Sequence, residues 1–369
     1  MTTTRNNTAL FMADAHIKSR TWTNNMQLYA DAYTALLKLT KHVQTMKNPP
    51  KTLLIAGDWF DSNKPTSTDL MKSIDFLSLF EQVIYITGNH DTIEPSFLQV
   101  AQYMQDTVVT QIGCSYITTP EGIHIAGIQW TQNSKVLEER LQEIHESVPA
   151  GEPMYLLMHQ AFKHLLNFEG SYSIAADVIE RIFAGRVVRV LVGDIHTRHT
   201  LELEGGGYIH SPGSLYPTSF DKTSEPYAVS LIDLDTGAIE DIDCKVREYY
   251  TYEYKNETEL KELVTVASEE RRADFLQPFI RVTVPKDSEV KILQSQHPGV
   301  VVQTTSVDEQ TTTNTPELNR QNLYTLQEAI TAEAGEGILS ELAVALLNTD
   351  DPLQEIENWL NYWEVERIG

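Results

Sequence analysis

Five short stretches of the sequence end in side chains of the types that can bind metal ions. Each stretch runs apolar for several residues and then ends in Asp, Asn or His, which supply oxygen and imidazole ligands. Two ions held about 3.5–4 Å apart by such ligands, with one carboxylate bridging them, can polarise a phosphoryl group and activate a water molecule. The pattern therefore favours metal-assisted hydrolysis of a phosphate ester. The endings are Asp14 and His16, Asp58 and Asp61, Asn89 to Asp91, His159, and Asp194 and His196.

The apolar stretches predict the elements that must position these side chains. Continuous apolar runs of this length, bounded by turn residues, are typical of strands buried on both faces. Segments with helical periodicity lie between several of them, at residues 26–41, 68–80 and 134–148. This alternation predicts an α/β domain, in which ligands bind at the carboxyl ends of the strands. We therefore expect the five endings to meet in one site.

The later part of the chain has a different pattern. From about Tyr208 the segments alternate and turn at "DTG", which predicts strands and a hairpin that complete a second sheet. A helix over 258–272, the strand "FIRVTVP", a helix at "SEVKILQS" and the strand "GVVVQTTSV" then predict a small second domain. The predicted organisation is a catalytic domain at 1–255, a small α+β domain at 256–305, a linker at 306–320 and amphipathic helices at 321–369.

Composition limits the other possibilities. The two cysteines, Cys114 and Cys244, are too few for a disulfide framework or a thiolate zinc site. No run approaches the roughly 18 apolar residues of a membrane span, and the start shows no secretory signal, so we expect a cytoplasmic protein. The net charge of −24 opposes binding to nucleic acid at long range. Salt largely screens charges that lie more than about 8 Å from a phosphate, so cations close to the bound DNA matter more than the total charge.

The order of the motifs resembles the calcineurin-like metallophosphoesterases. The motifs are D-x-H at Asp14 and His16, G-D at Asp58, G-N-H-D ending at Asp91, a single His159, and G-x-x-H ending at His196. The segments "GDWFDSNKPT" and "SPGSLYPTSFDKTSEP" are similar to those of the SbcD nuclease subunits, over roughly residues 8–255. The resemblance implies a four-layer α/β/β/α sandwich with a small α+β cap domain and C-terminal helices.

The resemblance also implies a role for each motif residue. It implies two divalent ions, with manganese expected and magnesium as the alternative. His90 would face the scissile phosphate and stabilise or protonate the leaving oxygen, and Asp91 would orient the His90 ring. The first ion would be held by Asp14, His16 and His196, and the second by Asn89 and His159, with Asp58 bridging the two.

Two positions depart from the family pattern. The family usually has G-H-x-H where this chain has Asp194, so a carboxylate replaces a histidine ligand of the second ion. If Asp194 binds, the harder and more negative site favours Mn or Mg over Zn; the alternative is that Asp194 only hydrogen-bonds a neighbouring loop. Lys18 stands where relatives usually have Gly.

The resemblance implies DNA as the substrate and a coiled-coil ATPase related to SbcC as the partner. The ATPase would dock on the helices after Thr315, and the protein would form a homodimer within a heterotetramer. The leading hypothesis is a double-strand DNA exonuclease with single-strand endonuclease activity. The alternatives are a phosphomonoesterase or cyclic-nucleotide phosphodiesterase at the same site, or a scaffold without catalysis.

The DNA contacts would come from cations and one serine that follow the motifs. If the strand ends form one rim, these side chains share it; otherwise the cations are ordinary surface charges. They are Lys18, Arg20, Lys64, Lys163, Arg198, Ser214 and Lys222.

Overall fold

A computed structural model describes most of the first 306 residues. The chain divides into two compact units, residues 1–282 with 291–303, and residues 283–290 with 304–369. Of the predicted linker only Ser306 is described, and the predicted C-terminal helices and the "SEVKILQS" helix lie outside the described residues apart from Ile292. The described residues are 7–21, 28–91, 96, 98–99, 107–163, 173–218, 227–269, 275–285, 292, 297 and 300–306.

The described residues form fifteen strands and five helices. In chain order these are β1 (Thr8–Met12), α1 (Asp31–Thr45), β2 (Thr52–Ala56), α2 (Ser67–Leu77), β3 (Gln82–Ile86), β4 (Val108–Gln111), β5 (Ser115–Thr118), β6 (His124–Ile128), α3 (Ser134–Ser147), β7 (Met154–His159), α4 (Ala176–Ile182), β8 (Val188–Gly193), β9 (His199–Glu202), β10 (Tyr208–Ser211), β11 (Ala228–Asp233), β12 (Ile239–Asp243), β13 (Tyr249–Glu253), α5 (Glu257–Glu269), β14 (Phe279–Val284) and β15 (Val301–Ser306).

The first sheet has the strand order β12-β11-β1-β2-β3-β4. Strands β1 to β4 are parallel, and β11 pairs antiparallel with β1. The hairpin β11–β12 was expected to complete the second sheet, and that expectation is wrong. The hairpin instead covers the edge of β1, whose backbone groups would otherwise lack partners.

The second sheet has the order β5-β6-β7-β8-β10-β9. Its inner strands β6, β7, β8 and β10 are parallel, whereas β5 and β9 pair antiparallel at the two edges. Every residue of β7 is buried, as the continuous apolar run "MYLLMH" predicts. Parallel inner strands bring several carboxyl ends to one edge of the sheet.

The alternation of side chains along each strand builds a four-layer sandwich. In β2, Leu54 belongs to the core shared with Tyr155 and Leu191 of the second sheet, whereas Leu53 packs in a separate cluster with residues of α1 and α2. A third cluster joins α3 and α4 to the second sheet. The expected α/β/β/α architecture is therefore confirmed.

The small third sheet has the order β13-β14-β15. Its first strand, Tyr249–Glu253, precedes the predicted domain boundary at residue 255, and α5 corresponds to the helix predicted over 258–272. Over the part of the chain that is described, no helix is both long enough and apolar enough to cross a bilayer.

A buried ion pair fixes the start of α1. The Nη2 of Arg247 donates to Asp31 Oδ1 at 2.6 Å, and its Nε donates to Asp31 Oδ2 at 3.1 Å. The Tyr249 hydroxyl donates to Asp31 Oδ2 at 2.7 Å. Because both charged side chains are buried, at 4% and 0% exposure, each depends on the other for compensation.

We predict that Arg247→Met lowers the free energy of unfolding by about 3–5 kcal/mol, because it leaves the Asp31 carboxylate buried without its cation. Urea unfolding followed by circular dichroism measures this loss. The matched control is Arg181→Met, which removes an exposed ion pair with Glu138 and should cost at most about 1 kcal/mol. Equal losses in the two variants would contradict a stabilising role for the buried pair.

Candidate metal centre

The five strand ends identified in the sequence meet at one place, and both sheets contribute. In the first sheet, polar side chains follow β1, β2 and β3; in the second they come from the ends of β7 and β8. Among the described residues, three groups of side chains each place potential metal-binding atoms within 4.8 Å of one another. The groups are Asp14, His16 and His196; His16, Asp58 and His90; and Asp14, Asp58 and His159.

The backbone at the strand ends is held in an unusual conformation. Six non-glycine residues in the described part have positive φ, and four of them are site residues: Asp14, His16, Asp58 and Asp194. Such conformations cost free energy and persist only where surrounding bonds fix them. Here the Asp14 N–H donates to the Gly57 carbonyl at 3.2 Å, and the His16 N–H donates to the Asp58 carbonyl at 3.0 Å. The first two strand ends therefore fix each other.

Two glycines allow the strand ends to approach closely. A Cβ atom on Gly88 would lie 2.1 Å from Asp58 Oδ1, and one on Gly193 would lie 2.6 Å from His159 Nδ1. Both distances are below any real Cβ contact. The glycines that precede Asn89 and Asp194 are therefore required by packing around Asp58 and His159.

Three of the site imidazoles are held by their Nδ1 atoms. His159 Nδ1 lies 2.8 Å from the Ala56 carbonyl oxygen, and His90 Nδ1 lies 2.8 Å from the Asp61 carbonyl oxygen. Because a carbonyl only accepts, both rings carry a proton on Nδ1 and keep Nε2 for another partner. His196 Nδ1 is 2.9 Å from Thr218 Oγ1. Such contacts set the tautomer and direction of metal-binding histidines.

The histidine Nε2 atoms and the carboxylate and amide oxygens converge on two neighbouring points. On one side, His16 Nε2 lies 3.2 Å from His196 Nε2. On the other, His159 Nε2 lies 3.0 Å from Asn89 Oδ1. Asp58 Oδ2 is 3.8 Å from His16 Nε2 and 3.3 Å from His159 Nε2. Asp58 therefore stands between the two donor sets, as a bridging carboxylate must.

Buried negative charge gives the centre a strong preference for cations. Asp14 and Asp58 are 0% and 2% exposed, although burial disfavours ionised carboxylates. Burial alone would lower the pKa of His159, but the adjacent Asp58 carboxylate raises it to about 10. The field that holds a proton there also favours a divalent cation. Oxygen and imidazole donors without thiolates fit Mn, Mg, Fe or Zn ions.

Asp194 takes a different place from the other strand-end residues. Its carboxylate belongs to none of the three groups, whereas its backbone N–H donates to both carboxylate oxygens of Asp14, each at 3.1 Å. Burial raises the pKa of the Asp194 carboxyl, and the neighbouring Asp14 and Asp58 carboxylates raise it further. Asp194 thus supports Asp14 directly, and its role as a ligand stays a prediction.

Asp91 does not orient the His90 ring, contrary to the expectation. Its Oδ1 accepts from the Gly88 N–H at 2.6 Å and its Oδ2 from the Trp59 N–H at 2.8 Å. The reason is that Asp91 turns into the protein, where burial raises the pKa of its carboxyl to about 6. It fixes the loops of Asp58 and Asn89 instead, and His90 is held by Asp61.

Asp61 is a site residue to which sequence reasoning assigned no role. Its Oδ1 lies 3.4 Å from His16 Nδ1 and 2.7 Å from Lys18 Nζ. The only signal in the sequence is its position three residues after Asp58, at the end of the second stretch. Its contacts depend on how the loops fold together.

The expected DNA-contact residues fall into four groups. Lys18 and Arg198 are engaged by carboxylates, the former by Asp61 and the latter by Asp241. Ser214 was expected on the DNA surface, but it is fully buried and its hydroxyl donates to the Tyr216 carbonyl at 2.8 Å, so that expectation is wrong. Arg20, Lys64 and Lys163 are exposed, and Lys222 lies outside the described residues.

Curated proteins similar to this chain include proteins named for DNA double-strand break repair and a subunit of a nuclease. The "DNA double-strand break repair protein Mre11" of Sulfurisphaera tokodaii is 26% identical over 260 residues, which cover 65% of this chain and 64% of that protein. The SbcD component of the SbcCD nuclease of Staphylococcus saprophyticus is 24% identical, over 55% of this chain and 60% of that protein. The Mre11 protein of Saccharolobus solfataricus is 24% identical, over 56% and 53%.

The chain thus spans less than two thirds of the length of these relatives. The calcineurin-like phosphoesterase family matches residues 8–198, which is more than half of the chain and includes all of the strand ends described above. From this match, and from the convergence of its motif residues, the chain belongs to the calcineurin-like phosphoesterases.

Proposed function

We propose that this protein is a metal-dependent DNA nuclease, a double-strand exonuclease with single-strand endonuclease activity. The observation that carries the proposal is an exposed imidazole, that of His90, beside a buried set of carboxylates and imidazoles. The similarity to proteins named as nuclease and DNA break repair proteins supports the choice of DNA as substrate.

Each residue of the centre has a proposed task. Two divalent metal ions, when bound, supply electrophilic activation of the phosphodiester and a water-derived nucleophile. We assign Asp58 as the shared ligand. We assign Asp14, His16 and His196 to one ion, and Asn89, His159 and Asp194 to the other.

His90 is the proposed proton donor to the leaving oxygen. Its ring is exposed and lies edge-on to the His16 ring, with 5.0 Å between centroids. The Asp61 carbonyl accepts the proton on Nδ1, so Nε2 is the nitrogen that faces away from this anchor. A ring fixed in this way can hold a second proton on Nε2 and deliver it to a departing oxygen.

The test compares variants that separate metal binding from proton transfer. The full chain is incubated with Mn²⁺ and labelled duplex DNA, beside a chromogenic phosphodiester. We predict that His90→Asn lowers kcat for DNA by about 10²- to 10⁴-fold and leaves the Kd for Mn²⁺ unchanged within about threefold. Asp58→Asn should abolish cleavage and also weaken Mn²⁺ binding. The loss of Mn²⁺ affinity should exceed the 10- to 100-fold that is typical when a residue hydrogen-bonded to a metal ligand is replaced.

Other outcomes identify the alternatives. Hydrolysis of the chromogenic ester without DNA cleavage would assign a small-substrate phosphoesterase, and no hydrolysis with intact metal binding would assign a scaffold. A large loss of Mn²⁺ affinity in His90→Asn would make His90 a ligand, since its ring nitrogen lies within 4.8 Å of ligand atoms of His16 and Asp58.

We further propose that Mn²⁺ is the working ion, with Mg²⁺ as the alternative. Asp194 places a carboxylate near the centre where the family usually has a histidine, and burial together with repulsion from the neighbouring Asp14 and Asp58 raises the pKa of its carboxyl. An added cation relieves that repulsion. Oxygen-rich sites prefer Mn and Mg, whereas imidazole suits Zn better.

We predict that Asp194→His shifts the metal preference, raising the affinity for Zn²⁺ relative to Mn²⁺ by about tenfold. Competition calorimetry with the two ions measures this ratio. Asp194→Asn serves as the control, because it keeps an oxygen ligand without the charge and should leave the ratio closer to that of the unchanged chain. An unaltered ratio in Asp194→His would show that this side chain does not reach the metal.

DNA would be held by the exposed cations near the strand ends. Lys64 lies in the loop that follows Asp58, and Arg20 and Lys163 are exposed beyond the first and fourth strand ends. We also propose a cytoplasmic location, a homodimer, and a coiled-coil ATPase partner that docks on the helices predicted after Thr315. The last proposal concerns residues outside the described ones, and it rests on the similarity to the SbcD component of the SbcCD nuclease.

We predict that Lys64→Ala weakens duplex binding and flattens its salt dependence, reducing the slope of log K against log salt concentration by about 0.9, as expected for one lost phosphate contact. Fluorescence anisotropy at several salt concentrations measures the slope. Lys135→Ala is the matched control, since Lys135 is 86% exposed on α3. An identical slope in the two variants would show that Lys64 makes no phosphate contact in the DNA complex.

A further inference from the structure

We propose that Asp61 is a positioning residue for His16, and that Lys18 anchors the Asp61 carboxylate in the position where it acts. A single oxygen, Asp61 Oδ1, lies 2.7 Å from Lys18 Nζ and 3.4 Å from His16 Nδ1. The arrangement uses Lys18, the residue that replaces the usual glycine of the first motif. The proposed role of Asp61 rests on one part of the proposed function, the assignment of His16 as a metal ligand.

The direction of the His16 ring shows why Nδ1 needs an acceptor. His16 Nε2 faces the centre, 3.2 Å from His196 Nε2 and 3.8 Å from Asp58 Oδ2. A ring that binds metal through Nε2 carries its proton on Nδ1. In the described structure this Nδ1 is buried and makes no direct hydrogen bond, and Asp61 Oδ1 faces it. Asp61 therefore supplies the acceptor for the buried N–H.

The chain on both sides of this contact is fixed. The Ile17 N–H donates to the Trp59 carbonyl at 2.8 Å, which ties the His16 segment to the segment that leads to Asp61. The indole N–H of Trp59 donates to Ser73 Oγ at 2.8 Å, and Trp59 is fully buried. Because the backbone is held, the distance of 3.4 Å between Asp61 Oδ1 and His16 Nδ1 depends on the position of the Asp61 side chain.

Lys18 determines where the Asp61 carboxylate stays. The Asp61 side chain is 34% exposed, so solvent competes for it, and the Lys18 side chain is 22% exposed. The same oxygen that accepts from Nζ faces His16, so the ion pair holds this oxygen on the His16 side. A carboxylate bonded to a ligating histidine fixes the ring and raises its basicity, which strengthens metal binding.

The test measures Mn²⁺ binding to the full chain by calorimetry and by the electron paramagnetic resonance of the bound ion. We expect Asp61→Ala to raise the Kd for Mn²⁺ by about 10- to 100-fold. Asp61→Asn should recover part of the affinity, because its amide oxygen still accepts from Nδ1. Glu81→Gln is the matched control, since Glu81 forms an exposed ion pair with Lys51 at 2.7 Å, and it should leave the Kd unchanged.

A second comparison separates action through His16 from action through Lys18. Lys18→Met should itself weaken Mn²⁺ binding, because Asp61 loses its anchor. Asp61→Ala should then add a smaller factor in this background than in the unchanged chain, because part of the Asp61–His16 contact is already lost. An equal factor in the two backgrounds would contradict the anchoring role of Lys18. If Asp61→Ala weakens binding no more than Lys18→Met does, or has no added effect in that background, the proposal is overturned. If the unchanged chain binds Mn²⁺ and Asp61→Ala binds it equally well, this inference fails and the proposed function stands. Absence of binding by the unchanged chain overturns both.

Discussion

The centre depends on compensation of negative charge that the fold has removed from water. Asp14 and Asp58 are buried at the strand ends, and Asp91 is buried as well. Without positive partners such a group would be protonated or would unfold the loops around it. The imidazoles supply part of the compensation, as the raised pKa of His159 indicates. The geometry of the whole region can thus be understood as a means of holding charge ready for a divalent cation.

Main-chain hydrogen bonds stabilise much of that buried negative charge. Four site residues adopt positive φ, and the loops that contain them are joined by main-chain hydrogen bonds such as that from His16 to Asp58. Asp91 accepts from the Gly88 and Trp59 N–H groups, and Asp14 accepts from the Asp194 N–H. Main-chain N–H groups therefore hold both Asp14, within the donor set, and Asp91, outside it, and the strain at the strand ends is balanced by bonds between neighbouring loops.

The sequence predicted the elements, and the residues that meet at the strand ends, better than the contacts among these residues. Strand β7 and its terminal His159 follow from a continuous apolar run with a polar end, since such a run is stable only between layers. The prediction of which sheet the β11–β12 hairpin joins was wrong, because a local pattern specifies a turn but not which sheet edge the hairpin covers. The side-chain contacts of Asp61, Asp91 and Ser214 depend on how the loops pack, and the spacing of residues in the sequence does not predict this packing.

The division of the ligands between the two sheets has a consequence for folding. His159 and His196 come from the second sheet, and the remaining strand ends come from the first, so the donor set exists only when the two sheets are packed together. A ligand that binds only this assembled state stabilises it by mass action. Metal occupancy and cohesion between the sheets are then thermodynamically linked. A substitution deep between the sheets, at Phe11 or Leu191 for example, would change apparent metal affinity without touching any ligand.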